Sequence, residues 1–359
     1  MKRFLFLICP ILFVACASHE GMITTTYKDS CKITTVQLKG AAYSTPIRMK
    51  NNTVVLGTHR RSIYFLTSND SLSSGNMIKK VYRTKFWVHA TPAIVYDSLV
   101  SIGSYDGNMY FFNEDGELQK TIRPGGRIYT NSVQLDSLWM VFATGVKGLW
   151  FYNMNADTLF LSRIKHLTHG SPTVLGNALI CIGSNDKRMY FFDNLGNLLS
   201  TFQTDGWIMH SKAMPQSDSV IVFGSYDKNI YSVSTSGEMQ WRFDTEGRIH
   251  ASPQQFANGN IICGSFDKNI YVVDRDGSKI AKIPTGKRVV SSAGMLNNGE
   301  YAVVGSYDKY LYVVRSNGEL IRKIFIGGKI FSSPIILDDG TIFCATTNGK
   351  AVFVEYGLR

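Results

Sequence analysis

Eight times along this chain a short phrase returns. The interval between copies is 40 or 41 residues in every case but the first, where it is 46. Its clearest copies read Gly224-Ser225-Tyr226-Asp227-Lys228-Asn229-Ile230-Tyr231, Gly264-Ser265-Phe266-Asp267-Lys268-Asn269-Ile270-Tyr271 and Gly305-Ser306-Tyr307-Asp308-Lys309-Tyr310-Leu311-Tyr312. The copies open at Gly57, Gly103, Ala143, Gly183, Gly224, Gly264, Gly305 and Ala345. A fixed period of this length marks a repeat architecture, in which each unit buries its apolar face against its neighbours. The 359 residues could hold two ordinary domains, but the unbroken repeat argues for one large one.

Within one unit, runs of about five residues rich in Ile, Val, Tyr and Phe alternate with Gly, Asn and Asp clusters. Residues 251–256, 261–265, 270–274 and 279–284 are four such runs, separated by turn-forming tetrapeptides. This is the pattern of short antiparallel strands joined by tight turns, and no window carries sustained helical periodicity. Four strands per unit and eight units predict an all-β, eight-bladed propeller. The last copy stops after three strands, and residues 32–38 form a spare strand ahead of the first copy. If that strand completes the last blade, the ring closes without a bare sheet edge. The extra residues of the first interval fall at 71–75, between the third and fourth strands.

The phrase Gly-Ser-x-Asp-x-x-Φ-Tyr (Φ apolar), a later Gly, and a Ser-Pro or Thr-Pro step opening the next unit resemble the repeat of the quinoprotein-type eight-bladed propellers. The step stands at Thr45-Pro46, Thr91-Pro92, Ser171-Pro172, Ser252-Pro253 and Ser333-Pro334. The resemblance covers residues 32–359 and implies the fold. Such propellers include pyrroloquinoline-quinone (PQQ) dehydrogenases. They also include non-catalytic members such as the propeller lipoprotein of the outer-membrane β-barrel assembly machinery. Two features set this chain apart from the dehydrogenases. The Trp that follows the late Gly in most of their blades occurs here only as Trp241, and the adjacent Cys-Cys pair common among them is absent.

At the other end of the chain, Lys2 and Arg3 precede an apolar run too short to span a bilayer. Residues 1–15 read as a signal peptide. Phe13-Val14-Ala15-Cys16 resembles a bacterial lipoprotein signal, which implies lipid attachment at Cys16; an ordinary secretory signal cut near Ala15 or Ala17 is the alternative. Residues 16–31 then read as a polar tether before the propeller. Either cleavage gives an exported protein, lipid-anchored at the outer membrane or periplasmic, held to a membrane by a lipid alone. Six cysteines are too few for a disulfide scaffold. Cys181, Cys263 and Cys344 fall in the apolar strand before the repeated Gly, as buried free thiols do.

Four of the seven histidines share one slot, three residues before the Pro position: His89, His169, His210 and His250. In the other blades the slot is assigned to Tyr43, Tyr129, Ser291 and Phe331. Each blade with the His also carries Ser and Asp: Ser104 and Asp106, Ser184 and Asp186, Ser225 and Asp227, Ser265 and Asp267. The co-occurrence predicts a structural His–Ser–Asp hydrogen-bond network inside each blade. It is not a catalytic triad, because a triad copied four times is a scaffold motif. The alternative is a transition-metal site formed by His169, His210 and His250 near the axis.

Antiparallel strands put the loops entering strand one and the turns between strands two and three on one face. That face collects Arg60, Arg61, Arg127, Lys187, Lys228, Arg248, Lys268, Arg288, Lys309 and Lys329; the opposite face is acidic, with residues such as Asp136, Asp218 and Asp338. The net charge of +11 therefore reads as a cationic face suited to an envelope protein or another acidic ligand. An exported chain without a nucleic-acid motif gives no reason to expect that partner. The sequence favours a monomeric, non-catalytic interaction scaffold, with no catalytic residues and no cofactor. The second reading is a propeller that binds PQQ, a metal or a small molecule, as in a quinone-dependent dehydrogenase.

Overall fold

The computed structural model describes residues 20–28, 31–67, 77–145, 148–164 and 166–356. They form an eight-bladed β-propeller. Blade I comprises β3 (Ile47–Arg48), β4 (Thr53–Thr58), β5 (Ser62–Thr67) and β6 (Ile78–Arg83). Blades II to VII repeat this antiparallel meander over residues 93–122, 133–163, 173–203, 214–244, 254–284 and 294–325. In each, the second and third strands are almost wholly buried, while the fourth alternates exposed and half-buried positions along the outer rim. The cores lie between blades: Ile230 and Ile249, for example, pack with Ala251 and Cys263 of the next unit.

The last blade closes as the sequence predicts. Its own three strands are Ile335–Ile336, Ile342–Ala345 and Lys350–Tyr356, and β2 (Cys31–Gln37) pairs with the last of these, from Cys31↔Tyr356 to Gln37↔Lys350. The stretch read as a tether differs from expectation. Ile23–Lys28, here β1, forms a fifth strand outside β2, paired from Ile23↔Val36 to Lys28↔Cys31. Its run of three threonines suits an edge strand with a solvated face. Glu20 pins this segment to blade I. Its carboxylate accepts the Tyr64 hydroxyl at 2.6 Å and pairs with Lys39 at 2.7 Å. Cys16, the signal segment and residues 71–75 lie outside the described residues; the flanking β5 and β6 place the latter between the third and fourth strands.

The repeated phrase explains how blades lock together. A Cβ on Gly57, Gly103, Gly183, Gly224, Gly264 or Gly305 would collide with Val88, Ile128, Ile208, Ile249, Val289 or Ile330 of the loop crossing to the next blade. Where the phrase opens with Ala345, the facing residue shrinks to Ala42. The Ser hydroxyl accepts the Asp backbone N–H, at 3.3 Å from Asp227 to Ser225. It also donates to a carbonyl of the incoming crossover loop, as Ser265 does to Gly247 O at 3.2 Å. The Asp carboxylate accepts the phrase's Tyr hydroxyl, at 2.9 Å for Tyr231 and 2.8 Å for Tyr271. It accepts a backbone N–H of the same loop as well, from Asp205 or Glu246 at 3.0 Å.

Cys31, Cys181, Cys263 and Cys344 are buried, and burial pushes Cys181 and Cys344 up to about 12. Among the described residues no helix is long and apolar enough to cross a membrane.

Candidate functional site

The crossover loops meet around the central axis, and their geometry repeats in every blade. Two or three residues before the histidine slot stand Ala41, Trp87, Arg127, Leu167, Trp207, Arg248, Arg288 and Lys329. Each of these carbonyls accepts a backbone N–H from the phrase of its own blade, for example Tyr105 to Trp87 at 2.9 Å, Tyr226 to Trp207 at 2.8 Å and Tyr307 to Arg288 at 3.1 Å. The eight side chains therefore form a rim around the channel mouth on the face predicted to be basic. The rim has two arcs. Arg248, Arg288 and Lys329 follow one another in blades VI to VIII, while Trp87 and Trp207 bracket the side made by blades II to V. Both tryptophans are exposed, at 43% and 47%, and Phe86 beside Trp87 is exposed at 40%.

The arginines lie over the aromatic residue of Ser-x-Asp. The Arg288 guanidinium is 4.4 Å from the Tyr307 ring centre and 5.1 Å from that of Phe266, and Arg248 is 5.5 Å from Tyr226. Such contacts keep the guanidiniums presented outward rather than folded away. All ten residues of the predicted basic set, Arg60, Arg61, Arg127, Lys187, Lys228, Arg248, Lys268, Arg288, Lys309 and Lys329, are exposed. Five of them sit at positive φ on the turn between the second and third strands: Arg61 at 62°, Lys187 at 70°, Lys228 at 78°, Lys268 at 72° and Lys309 at 78°. That left-handed conformation favours Gly or Asn; blade II carries Gly107 there, at 87°.

Inside the rim the channel is plugged by a layer of rings. His210 is 4.5 Å from His250, 5.7 Å from His169 and 5.9 Å from His89, between ring centres. Phe331 is 5.2 Å from His250 and 4.9 Å from Tyr43, and Tyr129 stacks on His169 at 4.6 Å. Burial holds His89 near 3 and His59 and His250 near 4, and it takes His210 well below its ordinary value. The imidazoles are therefore neutral at physiological pH.

The predicted His–Ser–Asp network is not how these residues bond. The Ser and Asp of each phrase face the crossover loop, as described above. The histidines face the axis and bond elsewhere: His89 to His59 at 2.9 Å, His169 to the Asn185 amide at 3.0 Å, and His250 to Val290 O at 3.3 Å. The co-occurrence arises because both features belong to regular blades, not because they touch. The slot itself shifts in blade VII. Val290 lines the channel there, while Ser291 Oγ accepts Gly305 N–H at 3.3 Å, the role that Ser211 plays for Gly224 at 3.0 Å.

The ring layer brings His169, His210 and His250 together, with His210 stacked on His250 at 21° and tilted by 47° to His169. No group of three or more His, Cys, Asp or Glu among the described residues is arranged to hold a metal ion. PQQ fits poorly too. It is a planar acid with several carboxylates, whereas the channel below the rings is lined by one cation, Lys212, and the arginines stand outside the plug.

Sequence reasoning missed two elements. The rim tryptophans lay in the same register as the arginines, and only alignment on the crossover loop reveals them. The second element is a belt of polar residues two positions past the slot: Thr45, Thr91, Asn131, Ser171, Lys212, Ser252, Ser292 and Ser333. Belt hydroxyls accept the backbone N–H of the preceding blade's belt residue, from Asn131 to Ser171 at 3.2 Å, Lys212 to Ser252 at 2.8 Å, Ser252 to Ser292 at 2.8 Å, Ser292 to Ser333 at 3.1 Å and Ser333 to Thr45 at 3.1 Å. This is what the repeated Ser/Thr-Pro step builds.

Comparison with known proteins supports the fold. BamB from Moraxella catarrhalis superposes with a TM-score of 0.73 at 12% identity, over 94% of this chain and 99% of that one. The computationally designed Ika8 protein superposes with a TM-score of 0.71 at 16% identity, over 89% and 98%. No protein-family model matches the chain, and no curated protein matches it. A natural protein and a designed one fit almost equally well, so shape alone carries no function here.

Proposed function

We propose that this propeller is a non-catalytic interaction scaffold of the cell envelope, lipid-anchored through Cys16, whose rim docks an acidic partner protein. The observation that carries this reading is the rim. Exposed Trp87 and Trp207 face a contiguous arc of Arg248, Arg288 and Lys329 around a plugged channel. Tryptophan and arginine are the residues most enriched at the energetic centre of protein interfaces. The turn residues support it further, since a basic side chain is kept in five blades where the backbone favours Gly. An outer-membrane protein assembly role is the finer form of this reading, and it rests on the resemblance of the repeat to that of the assembly-machinery lipoprotein.

Photo-crosslinking in cells tests the proposal. A crosslinking amino acid placed at Trp207 or Arg288 should capture a defined envelope protein, and one placed at Asp218 on the opposite face should not. Capture from the opposite face alone would overturn the assignment.

A further inference from the structure

Beneath the plug the innermost strands line a cavity of about 630 Å³ whose wall includes Pro215, Met295, Ile335 and Ile336. That size lies within the range of ordinary small-molecule sites. Its wall contains the belt, and the belt has one irregular member. Where other blades place Ser, Thr or Asn, blade V places Lys212.

Three observations bear on what this cavity holds. The first is an ammonium without a counter-charge. No Asp or Glu lines the cavity, and Lys212 has no ion pair among the described residues. Its electrostatic neighbour is the Cys181 thiol, which burial keeps neutral. Burial also lowers the Lys212 pKa, which a bound anion would restore. The second is an excess of donors. The belt hydroxyls of Ser171, Ser252, Ser292, Ser333 and Thr45 spend a lone pair on a backbone N–H, and among the described residues none donates its own hydrogen. Each therefore keeps an O–H to offer an acceptor. The third is the apolar part of the wall, Met295, Ile335 and Ile336, in a cavity with room for far more than an inorganic ion.

We infer that the cavity is a binding site for a small organic carboxylate, with its charged head on Lys212 and the belt hydroxyls and its apolar body against Met295, Ile335 and Ile336. One cation in the wall fits a monoanion. Loss of a charge-assisted hydrogen bond weakens binding roughly tenfold or more.

Isothermal titration with octanoate tests the site, with inorganic phosphate as the second ligand. Wild-type protein should bind octanoate saturably at millimolar concentration and more tightly than phosphate. The Lys212→Ser variant should bind roughly tenfold more weakly or worse. That substitution returns a hydroxyl to the belt, so the fold should persist; an unchanged melting curve verifies it. Lys212→Met, which keeps the side-chain length, should lose binding as well. In wild type, octanoate should shield Lys212 from reductive methylation, read by mass spectrometry. No saturable binding, equal affinity in Lys212→Ser, or phosphate binding as tight as octanoate would each overturn the assignment.

Discussion

The backbone N–H of Ser333 donates to Thr45 Oγ1 at 3.1 Å, and this bond carries the polar belt across the seam where the chain's two ends meet. It has the same geometry as the bonds between neighbouring blades elsewhere in the ring. Thr45→Val removes the acceptor at nearly constant shape and leaves a partly buried N–H unpaired. The expected loss is about 1–2 kcal/mol in urea unfolding. A cost near zero would show that the seam does not depend on the belt.

The glycine that opens each phrase is required by a neighbour rather than by its own backbone. Gly224→Ala should cost about 1–3 kcal/mol, because its methyl overlaps Ile249. Adding Ile249→Ala should recover part of that loss, as Ala345 with Ala42 already illustrates. If the double variant is less stable than the sum of the singles, the collision is not the cause.

The buried histidines make stability depend on pH. An unfolded histidine takes up a proton as pH falls through about 6.5, but His250 and His59 resist until about 4 and His89 until about 3. The unfolded state then binds more protons, so stability is complete above 6.5 and falls as pH drops toward 4. The limiting slope is about 1.4 kcal/mol per pH unit for each histidine. The groups facing His250 are His210, Phe331, Phe266, Tyr226, Arg288 and the Val290 carbonyl; the carbonyl favours the imidazolium, but burial outweighs it and Arg288 opposes it. Melting temperatures from pH 7 to pH 4 should decline steeply, and His250→Phe, which copies blade VIII, should flatten the curve.

The turn lysines predict a trade between stability and binding. Lys228→Gly relieves the left-handed backbone at φ 78° and should stabilise the propeller by about 0.5–1 kcal/mol. It should also weaken capture of the partner at the rim. A stabilised variant that crosslinks as well as wild type would remove the turn lysines from the interface.

Much of this architecture was legible because the repeat supplies its own alignment. The strand order, the closure by residues 32–38 and the buried thiols at Cys181, Cys263 and Cys344 all followed from comparing copies. What failed was the direction of side chains. Successive strand residues point to opposite sides, so co-occurrence in a blade could not tell that His250 faces the axis while Asp267 faces the crossover loop. The same one-residue ambiguity hid Val290 behind Ser291 in a blade with no Pro to set the register. Lys212 escaped notice because charges were sorted by face, and the inner wall of the channel belongs to neither. The threonine run of β1 looked polar enough to be a tether, since an edge strand needs only one protected side.

The pairing of β2 with Lys350–Tyr356 also has a consequence for timing. In a chain synthesised and delivered from its N-terminus, the first strand of the ring appears long before the only strand that can receive it. Seven blades can form while the clasp waits, and during that interval the unfinished ring presents two bare sheet edges. Joining such distant segments is the slow part of folding. The yield of finished propellers is therefore governed by how well those two edges are kept apart from other chains until the last strand arrives.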